Sequence, residues 1–238
     1  MLLWILATFI AFFVKGLCGF ANTLVFTSIM SFGTGNAAIS PVELLLGYPS
    51  NLILLLKNRK QLELRIWLPL SLLVLAGSIP GALLLKNTDS HLIKIVFGIA
   101  VVLIALEMLF RNAVKVKESS LLLLVTGIAS GLLCGLFGIG ALLAAYVGRA
   151  TKSNRSFKAN LSAVFLTENT VRIFVYAVLG LITRSTLART AVLLPVMLLG
   201  LFAGMKSAEL LDSRDDRIVQ KIVILLLIIS GIVLIIQS

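Results

Sequence analysis

Residues 2–32 and 119–147 are apolar runs, each with a glycine cluster near its middle. As continuous helices they would measure about 46 and 43 Å at 1.5 Å per residue, whereas a bilayer's hydrocarbon core is about 30 Å thick. Gly16 and Gly19 interrupt the first run; Gly131, Gly135, Gly138 and Gly140 interrupt the second. Glycine disfavours a helix interior, and a cluster of it either breaks the helix or lets backbones approach closely. Six further apolar segments, 42–56, 66–85, 91–110, 160–181, 188–208 and 218–237, accompany these two. A chain of 238 residues that is 59% hydrophobic and 13% charged is therefore expected to be an all-α polytopic membrane protein. The start, "MLLWILATFIAFFVKG", lacks a basic leader and a small-residue cleavage site and reads as a retained segment.

The chain reads as two copies of one unit, 1–112 and 113–238, forming a single membrane domain. Sliding the sequence by 119 sets Gly16 on Gly135, Leu17 on Leu136, Gly19 on Gly138 and Leu24 on Leu143. Further on the offset shifts: Asn51 falls opposite Asn169 at 118, and aligning "LPLSLLVLAGSIPG" with "LPVMLLGLFAGMKSA" sets Pro69 on Pro195 and, one residue later, Gly77 on Gly204. Leucine matches are cheap in such a composition, but ordered glycines, asparagines and prolines are not. Each unit holds one long glycine-broken segment followed by three ordinary spans.

Loop charges bear on how the broken segments lie. If all eight segments cross once, the 19 loop Lys and Arg divide almost evenly between the two sides, Lys15 and Arg172 lying within spans. If 2–32 and 119–147 instead dip in and return, loops 57–65, 111–118, 148–158 and 206–221 share a side and hold fifteen of them. Only the second arrangement obeys the positive-inside bias. It makes the two units inverted repeats, each a re-entrant hairpin plus three transmembrane helices, with both termini outside.

Broken helices in inverted repeats are a transporter design, with substrate held near the midplane between the breaks. The second half-helices, beginning near Gly19 and Gly138, would aim backbone N–H groups and a positive dipole end at that centre, which suits an anion. Intramembrane ionisable residues are functional candidates by default. Lys15 sits beside the first break and either adds charge to an anion site, or snorkels or neutralises Glu43. Glu168 and Arg172, four apart in the favourable helical order, form either a structural pair or an anion contact. In the second role Arg172 would hold the oxyanion, with Glu168, like Glu43, orienting it or coupling a proton. Asn22, Asn51, Asn169, Gly19, Gly138 and Gly140 complete the expected substrate-binding set, with Ser50, Asn160 and Thr167 as further hydrogen-bonding candidates. Gly77–Gly81 and Gly200–Gly204–Ala208 are small-xxx-small sets suited to close helix packing. Pro69, Pro80 and Pro195 read as kinks.

Other classes fit less well. The net charge of +11 lies in short loops, as for a membrane protein, and implies no nucleic-acid partner. A hydrolase would need a Ser–His or Cys–His pair, two intramembrane aspartates or HExxH; the single histidine, His91, lies at a span edge. Cys18 and Cys134 have no metal-ligand spacing and read as small buried residues, and no metal or cofactor is expected. No nucleotide-binding glycine–lysine loop is present, so transport would run on an ion gradient, H⁺ or Na⁺, or on the substrate's own. A cation carrier using Glu43 and Glu168, and a non-transporting scaffold subunit, remain the alternatives. The basic loops fit a bacterial inner membrane, and a homodimer is compatible with the sequence.

The stretch "SGLLCGLFGIGALLAAY", followed by "FKANLSAVFLTENTVRIFVYAVLGL", resembles the second half of the TauE/SafE sulfite exporters, the TSUP permeases. The matching residues are Gly131, Gly135, Gly138 and Gly140, then Tyr146, Phe157-Lys158-Ala159, Asn169, Arg172 and Gly180-Leu181. Ala141 stands where that family usually has glycine, and "GFAN" at 19–22 replaces "GGG" in the first unit. The resemblance implies a secondary carrier for a sulfur-containing anion such as sulfite, sulfoacetate or thiosulfate, with no enzymatic activity.

Overall fold

In the computed structural model the described residues are 1–30, 36–84, 120–137 and 140–212, with scattered helical positions between 95 and 106 and between 224 and 235. The spans expected at 91–110 and 218–237, the loop 111–118, His91 and Gly138 fall largely or wholly outside them. Every regular element among the described residues is helical: α1 (Leu2–Cys18), α2 (Asn22–Met30), α3 (Asn36–Asn58), α4 (Leu64–Leu84), α5 (Ser120–Phe137), α6 (Ala141–Ala150), α7 (Asn154–Val178) and α8 (Arg184–Asp212). A 3₁₀ turn, Arg59–Gln61, joins α3 to α4. Four stretches are long and apolar enough to cross a membrane, Ala38–Gln61, Leu64–Leu83, Asn154–Val178 and Arg184–Leu210. Pro41, Pro49, Pro69, Pro80 and Pro195 all lie inside helices.

Both long glycine-bearing segments are broken. The first helix stops at Cys18, where Gly19 takes a left-handed conformation (φ 89°) and returns its N–H to Lys15 O at 2.7 Å. Ala21 also has positive φ, 70°, before α2 begins. The chain then doubles back, because Phe26 on α2 meets Trp4 on α1 edge-to-face, with ring centroids 5.8 Å apart. In an unbroken helix those two residues would be separated by roughly 33 Å. In the second segment α5 ends at Phe137 and α6 starts at Ala141, after Gly140.

The glycines outside the breaks set the helix packing. A Cβ on Gly16 would stand 2.7 Å from Met205 N, and one on Gly200 2.6 Å from Phe9 O, so α1 lies directly on α8. The same happens between α4 and α5: a Cβ on Gly81 would sit 2.5 Å from Leu132 O, and one on Gly135 2.7 Å from Ala82 N. Small residues at membrane helix interfaces permit this backbone approach. Both pairs run in the same direction. Trp4 lies under Arg189 (5.1 Å) at one end of the first pair and Gly16 near Met205 further along; Leu73 meets Gly127 and Ala82 meets Gly135 in the second. The broken helix of each half of the sequence thus rests on a long helix from the other half.

Three basic loops meet at one end of the bundle. Glu63 N bonds Asn160 Oδ1 at 3.0 Å, Ser156 Oγ donates to Glu63 Oε1 at 2.7 Å, and Lys57 pairs with Glu209 at 2.6 Å. The described parts of loops 57–65, 148–158 and 206–221 are therefore on the same side. The helix α7 begins earlier than the apolar run suggests, at Asn154, because Ser153 caps it by accepting from Ser156 N at 3.1 Å.

Candidate functional site

The first break, α3 and α7 enclose a small buried cavity. Its walls are Lys15, Asn22, Thr23, Glu43, Gly47, Asn51, Phe165 and Asn169, and its volume is about 20 Å³. That is room for about one water molecule. Five of the residues that the sequence nominates, Lys15, Asn22, Glu43, Asn51 and Asn169, are brought together here from α1, α2, α3 and α7.

Lys15 is only 1% exposed, and among the described residues its ammonium makes no hydrogen bond. The Phe12 ring centroid lies 5.9 Å from Nζ. Asn51 Oδ1 is likewise buried without a hydrogen-bond partner. Two polar groups that would normally be satisfied when buried thus border the same space. Glu43 is different. Its Oε1 accepts from Asn22 Nδ2 at 2.5 Å and from Thr23 Oγ1 at 2.6 Å, so a carboxylate already occupies the first turn of α2. A helix N-terminus favours negative charge there.

Arg172 does not line the cavity, and its guanidinium is surrounded by the protein's own groups. Nη1 donates to the carbonyl oxygen of Cys134, Nη2 donates to Asn169 Oδ1 at 3.3 Å, and the same Nη2 stands 4.0 Å from Glu43 Oε2. Nε faces Glu168 Oε1 at 3.4 Å, off the line of a hydrogen bond, so that contact is purely one of opposite charges. The guanidinium carbon also lies 5.8 Å from the Tyr176 ring centroid. Tyr176 Oη in turn reaches Gly135 O at 3.5 Å. Arg172 and Tyr176 therefore both reach carbonyls near the carboxyl end of α5.

Lys158 caps the first break; beyond its place in the Phe157-Lys158-Ala159 match, the sequence offers it as a loop charge and not as a site residue. Its Nζ donates to Leu17 O at 2.9 Å and lies 3.4 Å from Gly16 O, in the last turn of α1. Its stem covers Gly19, where a Cβ would come within 2.8 Å of Lys158 Cγ. The signal was present: Lys158 stands two residues before the apolar run at 160, so a helix starting slightly earlier turns it inward.

Phe165 is the other residue the sequence left unmarked. Its ring lines the cavity and also fills the space beside Gly140, where no Cβ would fit. It therefore separates the Lys15 cavity from the second break. Gly19 and Gly140 shape the backbone beside the cavity rather than line it, and Glu168 also stays outside its walls. Asn160 links Ser156 O, Gln61 O and Glu63 N; Thr167 accepts from Trp67 Nε1 at 3.4 Å; Ser50 bonds Gly47 O. These three act as connections between or within helices. Both cysteines are free and buried, and Cys18 Sγ bonds the backbone at Val14 O, 3.0 Å, and Phe20 O, 3.2 Å.

No curated protein and no solved structure matches this chain. A family model does, along residues 4–234, nearly the whole length. The chain belongs to the sulfite exporter TauE/SafE family, a family of membrane transport proteins.

Proposed function

We propose that this protein is a secondary carrier of a small sulfur-containing oxyanion such as sulfite, sulfoacetate or thiosulfate, bound where the first broken helix faces α3 and α7. The carrying observation is Lys15: a buried ammonium with no hydrogen bond among the described residues, bordering a cavity it shares with Asn22, Thr23, Asn51 and Asn169. A cation-binding site would not place an ammonium there. Arg172 serves in this reading as the guanidinium that holds the second break and balances Glu43 and Glu168, with its charge felt at the site through Asn169.

The charges suggest how an anion is admitted. Lys15 and Arg172 balance Glu43 and Glu168, and Glu43 already uses the donors of Asn22 and Thr23. An oxyanion competes for those donors, and a proton on Glu43 would release them, so anion and proton move together in this scheme. A cavity of about 20 Å³ is too small for sulfite, which makes the present conformation a closed one. Opening would come from one unit, 1–112, rocking against the other, 113–238. The cross-packing of α1 on α8 and α5 on α4, and the common side of the three basic loops, support that inverted two-unit arrangement. The basic end would then face the cytoplasm of a bacterial cell.

Efflux of sulfite, sulfoacetate, thiosulfate, sulfate and chloride from proteoliposomes tests this. Lys15→Gln should lower transport of the preferred anion by about tenfold or more, the scale of one lost charge-assisted hydrogen bond, while staying folded. Glu43→Gln should remove the dependence of flux on a pH gradient. Undiminished efflux by Lys15→Gln would dismiss this site. No efflux of any anion by folded wild-type protein would favour the cation carrier or the scaffold.

A further inference from the structure

The basic end of the bundle carries a second, larger concavity that the transport reading does not use. It has a volume of about 410 Å³, within the range of small-molecule sites. Its charged lining comes from the end of α3 and the turn after it, the start of α7 and the end of α8: Lys57, Arg59, Lys60, Arg155, Lys158 and Glu209. Glu209 is the one acid among the lining residues, and it is taken by Lys57 at 2.6 Å. Lys158, 9% exposed, forms the inner wall and spends its ammonium on Leu17 O and Gly16 O. Arg59, Lys60 and Arg155 have no hydrogen bond or ion pair among the described residues. Leu54 and Met205 supply an apolar wall.

Five cations against one carboxylate in a concave, partly apolar basin concentrate a positive field that an anion relieves. Scattered basic residues of the positive-inside kind would satisfy a membrane surface without being collected around a cavity. Two of these three cations are arginines, whose planar forks match the oxygens of a sulfonate, sulfate or phosphate. We propose that this vestibule is an oxyanion-binding site separate from the Lys15 cavity, taking a tetrahedral sulfur or phosphorus oxyanion, either free in solution or on a lipid headgroup. Its inner wall is the residue that holds the end of α1, so the site lies against the first broken helix. Binding is read without transport, so the site stands or falls apart from the carrier reading.

The test uses the full chain in nanodiscs at constant ionic strength, which removes general charge screening. Inorganic sulfate is titrated in discs of phosphatidylcholine alone, with the unfolding midpoint as readout. In parallel, phosphatidylglycerol replaces part of the lipid without sulfate. The variants are Arg155→Gln and the double change Arg59→Gln with Lys60→Gln, all at exposed positions. Arg184→Gln, exposed at the opposite end of α8, is the charge-matched control for the single change. The expected result is saturable stabilisation of wild type and the Arg184 variant, weakened about tenfold or more in the vestibule variants. Stabilisation by sulfate identifies a soluble oxyanion; stabilisation by phosphatidylglycerol alone, with the same loss in the variants, identifies a headgroup. No stabilisation by either, or equal stabilisation in every variant, overturns the proposal.

Discussion

The ammonium of Lys158 lies 2.9 Å from the carbonyl oxygen of Leu17, a residue 141 positions earlier. Arg172, four turns further along the same helix, donates to the carbonyl of Cys134. One helix, α7, thus supplies a cation to the carboxyl end of each broken helix. A helix that stops inside a membrane leaves carbonyls that water cannot reach, and each costs several kcal/mol if unpaired. The attraction between a cation and the negative end of the helix dipole adds to the bond itself.

Lys158→Met keeps the stem over Gly19 and removes only the ammonium. It should destabilise the folded protein by about 1–3 kcal/mol, the scale of a buried group losing its partner. Thermal unfolding of purified protein in detergent checks this, and an unchanged midpoint would show that the cap contributes nothing.

The buried charges should be strongly non-additive. Arg172→Gln takes the counter-charge from Glu168 and leaves Lys15 alone to balance two carboxylates, and should cost about 3–5 kcal/mol. Adding Glu168→Gln removes one of those carboxylates, so the double variant should be more stable than Arg172→Gln alone. Unfolding midpoints of the two single variants and the double one settle it. Loss of transport by Arg172→Ala alone would not separate a binding role from this structural one.

Two glycines should respond oppositely to alanine. At Gly16 the new methyl would press on the backbone of Met205 at 2.7 Å, forcing α1 away from α8. Overpacking on this scale typically costs about 1–3 kcal/mol. At Gly148 the nearest atom is 3.8 Å away, so the methyl fits and helix propensity favours it by up to about 1 kcal/mol. Yields of monodisperse protein and melting midpoints should move in opposite directions.

Phe165→Ala should join the Lys15 cavity to the space around Gly140 and Cys134. A Cβ on Gly140 would lie 3.6 Å from Cys134 Sγ, so water entering there reaches the thiol. The expected outcome is faster labelling of Cys134 by a small water-soluble thiol reagent, located by peptide mass spectrometry. Protection equal to wild type would mean that Phe165 is not the barrier between the two breaks.

Much of this arrangement is legible in the residues. The lengths of 2–32 and 119–147 and their glycines announce the breaks, and the set Gly77–Gly81 with Gly200–Gly204 announces close packing. Lys15, Asn22, Glu43, Asn51 and Asn169 are recognisable because polar groups at membrane depth are costly and therefore conspicuous. Lys158 and Phe165 escape notice for opposite reasons. A lysine near a helix start looks like one more loop charge, and a phenylalanine in an apolar span looks like any other. Arg172 is conspicuous, yet its spacing from Glu168 does not say that Asn169 and a carbonyl 38 residues away consume its donors.

The sequence by itself determined that the chain lives in a membrane, that two of its helices are interrupted, and that a few buried polar groups stand near the first interruption. Those properties are local: they follow from hydropathy over about 20 residues and from the conformational freedom of glycine. Only the tertiary structure decided that α1 rests on α8 and α5 on α4, that α7 holds both broken ends, and that Lys15 rather than Arg172 borders the cavity. Those are pairings between distant segments, and they are set by which surfaces allow backbones to touch and which cation can reach an orphaned carbonyl, neither of which is written in the spacing of residues along the chain.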